Sequence, residues 1–386
     1  MGPVPLPALD LPPLSATGRL DRLRRRLADA AGEGAGIGAL LVTTPANLRW
    51  LTGFSGSAGL LCVTGDRALL TSDGRYRTQA AEQLAAAGVA DRVAVAIGGV
   101  QAQREAVAGL LDDTGADLVV GLEADQVSWS SERSWAEFLP TNELVPTRGL
   151  VESLRVVKDA GELLRMERAA DIADRALETV LPLLSGGAGT TESAFAAALD
   201  HAMRLLGAEE SAFETIVASG ENSAKPHARP GPRRITAGDP VVVDFGAVYE
   251  GYRSDMTRTF HVGGDPTGEL ARIFAVVAES QRAGVAAVRP GVEAGAVDDT
   301  CRAVIAEAGW RSRFEHGTGH GVGLDIHEAP SVGPGSTAIL DPGAVVTVEP
   351  GVYLPGTGGV RIEDTLVVTE DGSRTLTRFP KEVALP

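Results

Sequence analysis

The most constraining stretch of this chain is VVVDFGAVYEGYRSDMTRTF, residues 241–260, where an apolar run meets Glu250-Gly251 and a second run returns. A turn signal between two strand-like runs reads as a β-hairpin. With Glu250 and Gly251 at the centre of the turn, Asp244 falls opposite Thr257, and Asp255 sits diagonally beside Asp244 on the same face. Diagonal neighbours lie about 7–8 Å apart at the backbone, so their carboxylates can converge on two metal ions spaced about 3.5–4 Å. Taken alone, Asp244 reads equally well as a hydrogen-bonded turn carboxylate. Its place after three valines favours a site, because an unpaired buried charge is expensive.

A second motif, HGTGHGVGLDIHE, interleaves His316, His320 and His327 with Gly317, Gly319, Gly321 and Gly323. The glycines argue against a zinc-protease helix and for extended backbone that approaches a ligand closely, with His316 and His320 sharing one face. A single histidine is more often a satisfied structural residue than a ligand. Three of the chain's six histidines within twelve residues point to a site.

Further on, Glu349 closes the apolar strand of VVTVEPGVYLP just before Pro350-Gly351. In GGVRIEDTLVV, strand alternation puts Arg361 and Glu363 on one face. An arginine there can orient a buried carboxylate. A strand-end turn and a surface ion pair are the structurally neutral readings of these two segments.

Composition narrows the partners. The chain has 386 residues and a formal charge of -16, which repels nucleic acid and anionic membranes while leaving small or cationic substrates open. Cys62 and Cys301 are the only cysteines and lack metal-site spacing, so neither a disulfide framework nor a thiolate zinc site is expected. The proline-rich start lacks a signal peptide's basic and apolar regions, and no run reaches the roughly 18 apolar residues of a membrane span. These features predict a cytoplasmic protein.

Residues 1–17 read as a flexible leader, 18–150 as an α/β domain, 151–158 as a linker and 159–386 as a second domain. In the first, a helix over 18–31 precedes short strands at 39–43, 59–64, 68–71, 94–97 and 117–120, with helices at 78–87 and 101–111. In the second, helices are expected at 160–184, 191–206, 268–288 and 294–308, and strands at 214–218 and 240–245. That distribution could hide a structural duplication.

Together the motifs supply an Asp, Asp, His, Glu, Glu set. With GFSGSAG, TSDGRYRTQA, ASGENSAKPH and TVEPGVYLPG, they make essentially the whole chain resemble the proline-peptidase family that includes aminopeptidase P and prolidase. The resemblance implies an α/β creatinase/prolidase-type N-terminal domain before an α+β "pita-bread" catalytic domain. It also implies that Asp244 binds one metal, that His320 and Glu349 bind the other, and that Asp255 and Glu363 bridge them. Oxygen-rich ligation with one imidazole suits manganese, with cobalt or zinc as alternatives. Glu349 would shuttle protons, His227 and His327 would meet substrate and stabilise the tetrahedral intermediate, and His316, Tyr353 and Arg361 would belong to the substrate pocket or its support.

The implied reaction is hydrolysis of an N-terminal Xaa-Pro bond. Prolidases commonly carry an arginine soon after the residue matching His327, and residues 328–360 contain no basic residue. The expectation is therefore an aminopeptidase preferring longer Xaa-Pro peptides, with a prolidase acting on Xaa-Pro dipeptides as the alternative. An inactive pita-bread binding module is the alternative of another class, although such relatives lose ligands that this chain keeps. The resemblance further implies a homodimer in which Asp73 or Arg75 reaches a neighbouring subunit's cleft. The plainer reading of TSDGRY is a hairpin turn.

Overall fold

The apolar runs of the N-terminal part assemble into one six-stranded sheet. In spatial order its strands are Ala94–Ile97, Ala68–Ser72, Leu60–Thr64, Ile37–Val42, Val119–Glu123 and Glu143–Thr147. The three central strands pair antiparallel and the outer pairings are parallel, so crossover helices are required. Helices Val100–Thr114 and Trp129–Phe138 pack Val107, Leu111 and Trp135 against Leu41, Cys62 and Val120. This is the expected α/β domain. The computed structural model describes residues 11–30, 36–114, 118–184, 189–381 and 384–385, which divide into one unit spanning Leu11–Arg155 and another beginning at Val156.

Two expectations for the first unit are corrected. The end of the supposed leader is packed, because Ala16 is buried and its N–H donates to the Ala87 carbonyl at 2.9 Å. Residues 1–10 lie outside the described residues. TSDGRY is not a hairpin turn either. The Asp73 carboxylate caps a 3-10 turn, Gly74–Tyr76, that feeds helix Arg77–Ala86, and the strands on either side run parallel. Arg75 is exposed and Asp73 half-buried, and the two pair with each other at 2.7 Å.

The second unit builds two cores in the same way, each from a helix pair against a mainly antiparallel sheet. In one, helices Ala160–Val180 and Glu192–Leu205 pack Ile172, Leu177, Phe195 and Leu199 onto Val217, Val243 and Phe260. In the other, helices Gly268–Ala287 and Ala294–Glu307 pack Ile273, Val277 and Cys301 onto Val346, Val348 and Leu366. The duplication raised by the sequence is visible in these two halves. A capping box at Asp159 and Glu162 fixes where the first long helix begins.

The hairpin follows its expected register. Thr257 pairs with Asp244, and Tyr252 pairs with Tyr249 across a turn whose central residues, Glu250 and Gly251, have φ of 44° and 79°. Positive φ at both positions is the type I′ geometry that continues a right-handed strand twist. The register therefore runs unbroken from the turn to the carboxylates.

Candidate metal centre

The hairpin brings Asp244 and Asp255 to one wall of a cleft of about 600 Å³, which is also lined by His227, His316, His320, His327, Glu349, Arg361 and Glu363. His320 lies on strand Gly319–Gly321, whose tight backbone depends on its glycines: a Cβ at Gly319 would stand 2.0 Å from the Thr347 carbonyl oxygen. Glu349 follows strand Val345–Val348, and its N–H donates to the Thr318 carbonyl at 2.7 Å. Glu363 is fixed by Thr257, whose hydroxyl donates to Glu363 Oε2 at 2.7 Å.

Extended backbone is limited to residues 319–321, and His316 lies before it. Both rings nevertheless face the same carboxylate. His320 Nε2 is 3.4 Å from Glu349 Oε1 and 3.6 Å from Asp255 Oδ2, while His316 Nδ1 is 4.0 Å from Glu349 Oε2. His320 Nδ1 meets the Gly321 carbonyl at 3.0 Å, so this nitrogen carries the proton and Nε2 presents a lone pair to the acids. Burial lowers the pKa of both His316 and His320 to about 4 and keeps them neutral.

The Arg361 guanidinium pairs with Asp244, and its charge also acts on the carboxylates of Asp255, Glu349 and Glu363. Burial, followed by repulsion from the other acids, pushes Asp255 and Glu363 well above the usual carboxylate range. Burial likewise raises Glu349 to about 8, against the opposing pull of Arg361. Arg361 donates through Nη2 to Asp244 Oδ2 at 2.6 Å, through Nη1 to the Tyr353 hydroxyl at 2.8 Å and the Pro226 carbonyl at 3.2 Å, and through Nε to Thr257 at 3.1 Å. Tyr353 is buried and does not line the cleft; its oxygen stands between Arg361 and His316 Nε2, the latter 2.9 Å away.

This chemistry fits divalent cations. Asp255, His320 and Glu363 each offer a ligand atom, all within 4.8 Å of one another. Asp244 Oδ1 is buried with no hydrogen-bond partner among the described residues, although a buried carboxylate oxygen needs a donor or a cation. A cluster of acids with one arginine and a neutral imidazole aimed inward gains both from bound metal.

The fold and the site define a metal-dependent hydrolase with an accessory α/β domain. The model of metallopeptidase family M24 matches residues 164–370, and the Creatinase/Prolidase N-terminal domain matches residues 19–157. The chain belongs to metallopeptidase family M24, and its catalytic unit has the pita-bread fold. Its reaction is metal-dependent peptide hydrolysis. It is 41% identical to the "Uncharacterized peptidase YqhT" of Bacillus subtilis (strain 168), over 91% of this chain and 96% of that protein. The solved structure of an Xaa-Pro dipeptidase from Bacillus anthracis is similar at a TM-score of 0.89 and 38% identity, covering 96% of this chain and all of that one. An X-Pro aminopeptidase from Thermotoga maritima MSB8 is similar at a TM-score of 0.82 and 31% identity, covering 94% and 99%.

Sequence reading missed three supports. Thr257 joins Arg361 to Glu363, and the Thr347 hydroxyl accepts the His320 N–H at 3.0 Å. On helix Ala294–Glu307, buried Asp298 accepts from Thr318 N–H at 3.0 Å and from Arg302 at 2.6 Å, and Arg302 donates to the His316 carbonyl. The spacing of Asp298 and Arg302, one helical turn apart, marks an ion pair but not its target.

Proposed function

We propose that this chain is a dinuclear exopeptidase that hydrolyses the Xaa-Pro bond, acting on Xaa-Pro dipeptides. The observation that carries the metal assignment is Asp244 Oδ1, buried with no hydrogen-bond partner among the described residues, within an acid cluster that also holds His320. Dipeptides are favoured by the likeness to the Xaa-Pro dipeptidase over nearly the whole chain. The second reading, an aminopeptidase for longer Xaa-Pro peptides, draws on the absence of a basic residue from 328–360 and on the similarity to the X-Pro aminopeptidase.

Asp244, Asp255, His320, Glu349 and Glu363 would hold the metals, with Asp255 and Glu363 shared between them. When bound, two divalent ions supply an acidified water nucleophile and Lewis-acid polarisation of the scissile carbonyl. Glu349 takes the proton of the attacking water and delivers it to the departing proline nitrogen, for which its position between His316 and His320 is suited. His227 and His327 are exposed on the cleft and donate to the substrate and to the oxygen that gains charge in the transition state. His316 shapes the substrate pocket, Tyr353 positions it from behind, and Arg361 orients Asp244.

Manganese is the proposed metal, since carboxylates dominate the set. We also propose a cytoplasmic homodimer, in line with the absence of any helix long and apolar enough to cross a membrane among the described residues. Asp73 or Arg75 would face the neighbouring subunit's cleft. The proposed bounds are 18–150 for the N-terminal domain, 151–158 for the connector and 159–386 for the catalytic domain. Metal-stripped protein restored separately with manganese, cobalt and zinc, then assayed on Ala-Pro and Ala-Pro-Ala, tests this reading. Metal-restored cleavage of Ala-Pro supports it, and no cleavage of either peptide with any metal contradicts it.

A further inference from the structure

A dipeptidase must neutralise the free carboxylate that its substrate carries next to the proline ring. Residues 328–360 supply no cation. Besides its histidines, the cleft is lined by two basic side chains, Arg361 and Arg229. Arg361 is buried and all three of its nitrogens donate within the protein, to Thr257, Pro226, Tyr353 and Asp244. Using it for substrate would release Asp244 from the hydrogen bond that holds its Oδ2. Arg229 is different. Its side chain is 83% exposed, and its ion pair is a 3.3 Å contact with Glu214, itself 64% exposed. Ion pairs in water contribute little and exchange readily.

We propose that Arg229 is the specificity-determining residue that receives the C-terminal carboxylate of an Xaa-Pro dipeptide; this rests on the Xaa-Pro reading above. Arg229 follows His227 by two residues, so one segment presents both a donor for the reacting region and a cation farther along the substrate. Around it, Phe213, Ile216 and Pro230 line the same cleft and offer an apolar wall for a pyrrolidine ring. A guanidinium can hold a carboxylate through two parallel N–H donors, a geometry that an ammonium cannot copy. Glu214 pairs with Arg229 at 3.3 Å and competes with the incoming carboxylate.

The test compares kcat/KM for Ala-Pro and for Ala-Pro-amide, which lacks the charge, in manganese-loaded full-length wild type, Arg229→Gln, Arg229→Lys and Glu214→Gln. Arg229→Gln should lower the value for Ala-Pro by about tenfold to a hundredfold, mainly through KM, and change that for the amide less than about threefold. Arg229→Lys should recover part of the loss, and Glu214→Gln should improve Ala-Pro. An equal fall for both substrates, or an unchanged preference for Ala-Pro, overturns the role of Arg229 while leaving the Xaa-Pro reading intact. Wild-type protein that cleaves neither substrate overturns the Xaa-Pro reading, and this subsite with it.

Discussion

Arg361 donates to one oxygen of Asp244 at 2.6 Å and leaves the other, Oδ1, buried and without a partner among the described residues. The arginine thus fixes the rotamer of a carboxylate whose free oxygen is available to a cation. Replacing Arg361 with Met removes the guanidinium that pairs with Asp244. Breaking one side of a buried pair costs about 3–5 kcal/mol. Metal-free Arg361→Met should therefore unfold at a clearly lower temperature in calorimetry, and its activity should fall even when saturated with metal. Wild-type unfolding and turnover in this variant would mean that Arg361 does not orient Asp244.

His327 is exposed on the cleft beside His320, their rings 4.4 Å apart and edge to face. His327→Ala should keep its metals while kcat falls by about 10²–10³, the usual cost of losing one donor to a developing oxyanion. Loss of metal, or a higher KM at unchanged kcat, would remove it from that role.

Glu349 gives stability a pH dependence. Burial raises its pKa from 4.5 to about 8 in the metal-free fold, so the folded chain holds this proton more tightly than the unfolded chain does. The stabilisation is complete below about pH 4.5 and is lost as pH rises towards 8. Bound cations replace that proton, so stabilisation by metal should grow across the same window. Thermal unfolding with and without manganese between about pH 5 and 8 checks this: the gap should widen with pH, and a gap that stays constant or narrows would contradict the assignment.

The sequence displayed the acid set because a hairpin has only one register consistent with its turn, and Glu250-Gly251 fixed that register at Asp244 and Thr257. Long helices such as Gly268–Ala287 were legible within a residue or so from their apolar spacing. Helix Pro45–Thr52 was not, because its start lacks a local side-chain cap. The buried carboxylate of Glu123 accepts the Thr43 and Thr44 N–H groups instead, from a strand distant in sequence. The same kind of distance hid Asp298 and Arg302, which hold the histidine segment from a helix outside every motif. Arg229 was not legible because the family pattern places the cation after His327 in the chain, whereas the cleft draws its lining from the segment around His227 as well.

Metal stoichiometry measured together with turnover tests the central claim most directly. Asp255 and Glu363 are the two carboxylates proposed to serve both ions, so Asp255→Ala and Glu363→Ala should each fail to hold two metals and lose hydrolysis of Ala-Pro. Manganese-reconstituted wild type should bind two ions per chain and cleave Ala-Pro. Either variant retaining two bound ions and near-normal turnover would contradict a dinuclear centre built on these residues.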